Sequence, residues 1–201
     1  GLWSTLCSHI GAEIIADCGF DWVLLDTEHS PNDVPILTTQ LQAMMRGTAT
    51  PIVRPAWNDI VLIKRILDAG AQSLLVPFVQ NADEARRAVA ATRYPPYGIR
   101  GVASGTRANR FGRVKEYFQK AAGEMCVLVQ IETPMGLANL ESIASVEGVD
   151  YTMSESLEGR SITTVYFQLG RNIDVAMQDV QNAVSAARRK LPTDIDPPVI
   201  S

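Results

Sequence analysis

Apolar runs alternate with segments of helical periodicity through most of this chain. Five runs predict strands, at residues 1–7, 22–26, 50–55, 73–77 and 126–130. The runs at 22–26 and 126–130 are almost wholly apolar, which is typical of strands buried on both faces of a parallel sheet. The repeated order of strand, loop and helix therefore predicts an α/β fold with a parallel sheet or barrel.

The segments between these strands predict helices that begin at polar capping residues. Asp33, Asp59 and Asn81 stand where a helix N-cap is expected, and Gly19 and Gly70 follow helix ends. The predicted helices cover residues 11–18, 34–45, 60–69, 82–94, 114–123 and 137–145. Residues 98–113 are rich in glycine and arginine, and they predict a long loop.

The pattern changes at Asp150. Residues 146–150 begin like another buried strand, but residues 151–158 are polar. Residues 161–168 then alternate as a half-exposed strand of an antiparallel sheet does. An amphipathic helix is predicted over residues 174–191 and an edge strand over residues 197–200. We therefore predict two domains, a (β/α) unit over residues 1–150 and a small α+β tail over residues 151–201.

Charge and composition exclude several classes of protein. The 201 residues carry a formal net charge of −4, so no basic stripe is present to bind nucleic acid. No apolar run approaches the roughly 20 residues of a membrane-spanning helix. Cys7, Cys18 and Cys126 lack a metal or disulfide spacing, and we interpret them as buried thiols of a cytoplasmic protein. We interpret the arginines of the long loop as solvated side chains, with a loop that binds an anionic ligand as the alternative; they are Arg100, Arg107, Arg110 and Arg113.

Polar side chains follow three of the predicted strands, where each strand ends. They are Asp26, Glu28, His29, Arg54, Gln130 and Glu132. The carboxyl ends of parallel strands meet at one edge of a sheet, so we expect these side chains to cluster. Carboxylates can hold a hard divalent cation, a guanidinium can bind an anionic oxygen, and an imidazole can exchange protons near neutral pH.

Simpler roles remain open for two of these residues. Glu132 could merely cap the helix that follows it, and His29 could be a turn residue that bonds its own backbone. Asp68 could orient the imidazole of His29 if the end of its helix packs against the strand ends.

Six stretches of the chain closely resemble the HpcH/HpaI aldolase family. They include the motif Asp26-Thr-Glu-His-Ser-Pro-Asn32, and they lie at residues 1–3, 20–32, 51–59, 74–85, 92–101 and 129–133. The resemblance implies a TIM-barrel, metal-dependent (class II) aldolase that cleaves or forms 4-hydroxy-2-oxo acids through a pyruvate enolate. The metal would be Mg²⁺ or Mn²⁺, with Co²⁺ as an alternative, and the substrates a small 2-oxo acid and an aldehyde.

The resemblance also implies a role for each candidate residue. Glu132 would bind the metal, Arg54 would neutralise the pyruvate oxygen, and Gln130 would hydrogen-bond in the same pocket. His29, assisted by Asp68, would act as base through a metal-bound water. The cation would act as a Lewis acid that stabilises the enolate. Asp26 and Glu28 would support this edge of the sheet.

The chain departs from the family after residue 150. Where the family continues into Gly-Pro-Ala-Asp, whose aspartate is the second metal ligand, this chain has Tyr151-Thr-Met-Ser-Glu-Ser156. Residues from about 146 to 201 resemble a periplasmic porter subdomain of resistance-nodulation-division efflux transporters, a ferredoxin-like fragment without its membrane spans. The chain is thus interpreted as a mosaic whose first part is an incomplete barrel of about five of the eight strands.

Two functions are compatible with this interpretation. The first is an aldolase, a carbon–carbon lyase whose activity is impaired by the missing second metal ligand. The alternative is a non-catalytic mosaic protein whose tail serves packing or protein contact. Transport is a weak third hypothesis, because a porter fragment without its spans moves nothing. A homo-oligomer is compatible with either of the first two.

Overall fold

The computed structural model describes residues 1–149, the backbone of two strands at 152–157 and 160–165, and residues 178, 180–182 and 184. Five strands form one parallel sheet in the order β1-β2-β3-β4-β5. They are β1 (Leu2–Ser4), β2 (Trp22–Asp26), β3 (Thr50–Arg54), β4 (Ser73–Val76) and β5 (Cys126–Val129). The predicted parallel α/β sheet, with strands adjacent in chain order, is confirmed.

Helices connect these strands. They are α1 (His9–Ala16), α2 (Val34–Ala43), α3 (Ile60–Asp68), α4 (Ala82–Thr92), α5 (Tyr117–Lys120), α6 (Pro134–Ala138) and α7 (Leu140–Ala144), with 3₁₀ turns at Met44–Arg46 and Ala121–Glu124. The side chains of Asp33, Asp59 and Asn81 accept hydrogen bonds from backbone N–H groups in the first turns of α2, α3 and α4. These capping residues therefore fix where each helix leaves the strand end.

The hydrophobic core lies between the sheet and its helices. Val23 and Leu25 of β2 and Val53 of β3 are fully buried, as are Leu37 of α2 and Ile63 of α3. Leu24, which points to the other face of β2, is buried as well. A strand without an exposed face explains why the sequence of β2 is a continuous apolar run.

Two predicted helices differ from the structure. The stretch 137–145 forms the two short helices α6 and α7, which meet at Asn139. The side chain of Asn139 donates to the carbonyl of Gln80 at 2.9 Å, an interaction that helical periodicity does not show. Within 114–123, α5 is only one turn long and passes into a 3₁₀ turn.

The predicted strand at residues 146–150 is wrong over its described part. The N–H of Val149 donates to the carbonyl of Val146 at 3.2 Å, which closes a turn. Gly148 adopts a φ of 90°, which glycine accepts without steric cost. The parallel pattern therefore stops before the tail begins.

The tail contains an antiparallel pair of strands. β6 (Thr152–Leu157) pairs with β7 (Arg160–Val165), from Thr152 opposite Val165 to Leu157 opposite Arg160. The predicted antiparallel character of the strand that starts near residue 161 is confirmed, and the polar stretch before it is its partner. Residues 178, 180–182 and 184 are helical, within the predicted helix at 174–191. The predicted edge strand at residues 197–200 lies outside the described residues.

The predicted exposure of Arg100 and the predicted burial of the three cysteines need correction. Arg100 is not solvated: its side chain is 0% exposed, it donates to Asp68, and its guanidinium lies 4.6 Å from the ring centroid of Tyr94. Cys18 is exposed, and Cys7 and Cys126 are only half-buried, so the three thiols are not core residues. Among the described residues, no helix has both the length and the apolar character needed to cross a membrane.

Candidate active site

The carboxyl ends of β2 and β3 bring two oppositely charged side chains together. Asp26 and Arg54 are the last residues of these neighbouring strands and lie directly opposite each other in the sheet. The backbone continues this pairing, since the N–H of Thr27 donates to the carbonyl of Arg54 at 3.0 Å. Both side chains are buried. The edge of the sheet at which β2, β3, β4 and β5 end is called the rim below.

Arg54 is held along one edge of its guanidinium group. Its Nε donates to Asp26 Oδ1 at 2.9 Å and its Nη2 to Asp26 Oδ2 at 2.7 Å. Such two-pronged, charge-assisted bonds fix both the position and the plane of the group. The ring of Trp3 lies 4.6 Å from the guanidinium carbon and contributes a cation–π contact.

The other edge of the guanidinium, at Nη1, makes a longer hydrogen bond and an ion pair. Nη1 donates to Gln130 Oε1 at 3.4 Å, near the limit for a hydrogen bond. Glu28 Oε2 lies 3.0 Å from Nη1, but this buried oxygen has no aligned hydrogen-bond donor. The Nη1 edge therefore carries a long bond to Gln130, which a ligand oxygen could replace, and an ion pair with Glu28, which a ligand would have to share or displace.

The turn after β2 is fixed by hydrogen bonds to Asp26. Its Oδ1 accepts from the backbone N–H of Glu28 at 3.0 Å, and its carbonyl accepts from Ser30 Oγ at 2.6 Å. Asn32 Nδ2 donates both to that carbonyl and to Gln40 Oε1 of α2. Asn32 and Gln40 are buried and were missed from the sequence, although Asn32 lies inside the motif. They hold the turn that presents Glu28 and His29.

His29 projects into solvent. Its side chain is 72% exposed, and Nε2 lies 3.7 Å from Glu28 Oε1. Its backbone N–H makes a long contact of 3.5 Å with Asp26 Oδ1, so the main chain is tied to the site while the imidazole is accessible. An accessible imidazole beside a carboxylate can exchange protons with a ligand or with water.

Glu132 links the loops that follow β4 and β5. Its Oε2 accepts from the backbone N–H of Phe78 at 2.9 Å. Its charge also acts on Arg54, since it is one of the carboxylates that raise the pKa of the guanidinium. When ionised, Asp26, Glu28 and Glu132 give two more negative charges than Arg54 balances. The rim is therefore better suited to a cation than to an additional unshielded anion.

The described residues supply only part of a site for the divalent cation that the resemblance implies. No group of three or more His, Cys, Asp or Glu side chains in the described part of the chain could hold a metal ion. Mg²⁺ is usually held by one or two carboxylates and by oxygens of substrate and water. The resemblance implies Glu132 for one carboxylate and places the second at residues 151–156, whose side chains lie outside the described residues. Among the described residues, the ligand set for a divalent cation is therefore incomplete.

Asp68 is not brought to His29 within this chain. It ends α3, which runs back from the rim, so it lies near the start of β4 at the opposite edge of the sheet. Its Oδ1 accepts from Arg100 Nη2 at 2.8 Å. The condition for Asp68 to orient the imidazole, that the end of its helix packs against the strand ends, is not met in a single chain.

Burial and hydrogen bonding act in opposite directions on the pKa of Asp26. Burial raises the pKa, but the bonds from Arg54 and the backbone N–H of Glu28 outweigh it, and the pKa lies below the ordinary value of 3.8. The hydrogen bond to Asp26 in turn raises the pKa of Arg54. The pair is therefore fully charged at neutral pH.

We expect acid to destabilise the fold through Asp26. A carboxylate whose pKa is lower in the folded state contributes stability above its unfolded pKa, and this is lost as the pH falls through the folded pKa. The free energy of unfolding should thus decrease as the pH is lowered below about 5. Urea unfolding followed by circular dichroism at several pH values measures it. The Asp26→Asn variant should show a shallower decrease, and an equal slope in both proteins would contradict the assignment.

Polar side chains at the carboxyl ends of a parallel (β/α) sheet are the arrangement found in (β/α) barrel proteins, and comparison with known proteins gives the family. Residues 1–154 match the family described as HpcH/HpaI aldolase/citrate lyase. The chain belongs to this family, as its motifs predicted. Residues 138–201 match a second family, AcrB/AcrD/AcrF, over the stretch predicted to resemble an efflux porter.

Similar proteins share the first part of the chain. A 4-hydroxy-2-oxo-heptane-1,7-dioate aldolase of Klebsiella pneumoniae is 60% identical over 151 residues, which is 75% of this chain and 57% of that protein. A pyruvate aldolase of Rhizobium etli is 60% identical over 150 residues, 75% of this chain and 59% of that protein. The chain thus spans less than two thirds of these relatives.

Solved structures agree with the fold. An HpcH/HpaI aldolase/citrate lyase family protein from Burkholderia cenocepacia superposes with a TM-score of 0.73 at 41% identity. The match covers 75% of this chain and 61% of that protein. The predicted barrel-type α/β architecture of the first part is confirmed.

Proposed function

We propose that this chain is an aldolase-like carbon–carbon lyase that binds a small 2-oxo acid, such as pyruvate, at the rim. Its second substrate or product would be an aldehyde. The proposal is supported by the family and by relatives named as aldolases of 4-hydroxy-2-oxo acids and of pyruvate. The cytoplasm is the compartment that suits such small-molecule chemistry.

The proposal depends most on the difference between the hydrogen bonds made by the two edges of the Arg54 guanidinium. Asp26 fixes the Nε and Nη2 edge with short bonds, whereas Nη1 has a long bond to Gln130 and a poorly aligned contact with Glu28. A rigid guanidinium with one exchangeable edge is suited to bind the oxygen of an anionic substrate. Gln130 would then donate or accept in the same contact.

The remaining residues would transfer a proton and bind the metal ion. His29 would take or give a proton at the carbon or oxygen next to Arg54, since its imidazole is exposed beside Glu28. The carboxylate of Glu132 would bind the implied Mg²⁺ or Mn²⁺ ion. The described residues lack a second carboxylate ligand for this ion. We therefore propose that the chain still binds a 2-oxo acid when the divalent cation is in excess, and that carbon–carbon cleavage is slow or undetectable.

A role for Asp68 requires a second copy of the chain. Within one chain Asp68 lies at the opposite edge of the sheet from His29, bonded to Arg100. In the proposal Asp68 assists His29 only if a homo-oligomer brings the two edges together. A monomer would use His29 with Glu28 as its nearest carboxylate.

Replacing Arg54 by lysine is expected to weaken pyruvate binding by about 10-fold or more, although the charge is kept. A lysine ammonium is a point charge and cannot bond both Asp26 oxygens in one plane while it also faces a ligand. Ligand-observed NMR titration with pyruvate, in the presence of excess Mg²⁺, measures the Kd. Arg46→Lys, at an exposed position on the 3₁₀ turn after α2, is the matched control. Unchanged binding by a folded Arg54→Lys protein would remove Arg54 from the site.

A further inference from the structure

Two aromatic side chains form an exposed pair at the rim. The ring centroids of Trp57 and Phe78 are 5.4 Å apart, with their planes inclined by 32°. Trp57 is 51% exposed and Phe78 is 38% exposed. Contact between the two rings leaves much of their apolar surface in water, and this surface is available to a ligand.

The two rings belong to loops that adjoin groups of the proposed site. Trp57 follows Arg54 by three residues, in the loop after β3. Phe78 follows β4, the neighbouring strand, and its backbone N–H donates to Glu132 at 2.9 Å. The rings therefore join the loop that begins at Arg54 to the loop that holds Glu132.

The backbone of Phe78 is fixed in an uncommon conformation. Its φ of 57° lies in the left-handed region, which residues with a bulky side chain rarely adopt. The hydrogen bond to Glu132 holds the residue there. The direction of the Phe78 side chain is thus coupled to the carboxylate, and the contact with Trp57 is part of the same arrangement.

We propose that the Trp57–Phe78 pair is the subsite for an uncharged aromatic or alkyl substituent on the substrate, the part that the aldehyde contributes. This proposal rests on the proposed function, because it places that substituent next to a 2-oxo acid held at Arg54. Aromatic rings in offset contact accept a further ring or an alkyl chain. A terminal carboxylate offers the two rings no apolar surface to cover, so contact with the pair favours an uncharged substituent.

Three stable 2-oxo acids test this subsite without requiring turnover. Pyruvate carries only the 2-oxo acid group, 2-oxo-4-phenylbutanoate adds a phenyl ring, and 2-oxohexanedioate adds a terminal carboxylate. Isothermal titration with excess Mg²⁺ gives the Kd of each. We expect the phenyl compound to bind about 10-fold more tightly than pyruvate, and the dicarboxylate no more tightly than pyruvate.

Variants of the pair should remove this selectivity. Trp57→Ala and Phe78→Ala are expected to reduce the phenyl preference to about 3-fold or less, whereas Trp57→Phe, which keeps a ring, retains most of it. Tyr97→Ala is the matched control, because Tyr97 is an exposed aromatic residue in the segment between α4 and α5. Circular dichroism establishes that each variant is folded.

The outcomes separate the subsite from the proposed function. Pyruvate binding without a phenyl preference, or a preference that survives both alanine variants, overturns the subsite alone. Absence of binding by all three acids overturns the proposed function and the subsite with it. If Trp57→Ala changes only the oligomeric state in sedimentation, the pair is a contact between copies and the subsite is rejected.

Discussion

Alanine in place of Asp26 is expected to lower the free energy of unfolding by about 3 to 5 kcal/mol. The carboxylate is buried and accepts two bonds from Arg54 and one from the N–H of Glu28. Its removal leaves a buried guanidinium with Glu28 as its nearest carboxylate and with Nε and Nη2 deprived of their acceptors, and this loss dominates the change in stability. Chemical denaturation followed by tryptophan fluorescence and by circular dichroism measures the change.

An exposed ion pair provides the control. Arg86 bonds Asp83 at 2.6 Å, but both side chains are more than half exposed, so Arg86→Ala should change stability by roughly 0 to 1 kcal/mol. The Asp26→Asn variant keeps the shape and should fall between wild type and Asp26→Ala. A loss below about 1 kcal/mol for Asp26→Ala would mean that Glu28 alone compensates Arg54.

Replacing residues 151–201 by the family's own continuation, through Gly-Pro-Ala-Asp and the closing strands, is expected to raise aldolase turnover by at least about 10- to 100-fold. Loss of a group that only orients a metal ligand already costs that much, and here the described residues lack the second ligand itself. The added strands would also extend the sheet beyond β5. Release of pyruvate from a 4-hydroxy-2-oxo acid, followed by a coupled assay with Mn²⁺, measures turnover.

The same replacement in the Glu132→Gln background distinguishes two causes of higher turnover, a completed metal site and a more stable fold. This double change should fold like the replaced chain but stay nearly inactive, because one of the two carboxylates is again lost. Equal activity with glutamine at position 132 would show that the added segment acts without the predicted metal ligand.

The sheet was predictable because burial on both faces leaves a direct trace in the sequence. β2 is a continuous apolar run buried on both faces, whereas β5, predicted to be the same, has Cys126 and Leu128 only half-buried on one face. Asp33, Asp59 and Asn81 mark the helix starts through local hydrogen bonds. The break between α6 and α7 was not predictable, since it depends on the bond from Asn139 to Gln80, far away in the chain. The local sequence pattern predicts strands and helix starts, whereas a helix break caused by a contact with a distant segment leaves no local pattern.

In the candidate site, too, some contacts could be predicted from the strand order and others could not. The register of a parallel sheet places Asp26 beside Arg54, so their proximity follows from the strand ends alone. The contact of Trp3 with the guanidinium and the support of the turn by Gln40 arise from other elements of the fold. Arg100 is buried although its loop is rich in glycine. A salt bridge to Asp68 and a ring contact with Tyr94 offset part of the loss of water, while Nε and Nη1 are buried without a hydrogen-bond partner among the described residues.

A calorimetric titration of the present chain with Mn²⁺ tests whether the rim keeps only part of the family's metal site. We expect binding at least about 10- to 100-fold weaker than in the chain with the family's continuation, and a further loss in the Glu132→Gln variant. Equally tight binding by both chains would mean that the tail supplies the second ligand. Binding that is unaffected by Glu132→Gln would contradict the placement of the site at the rim.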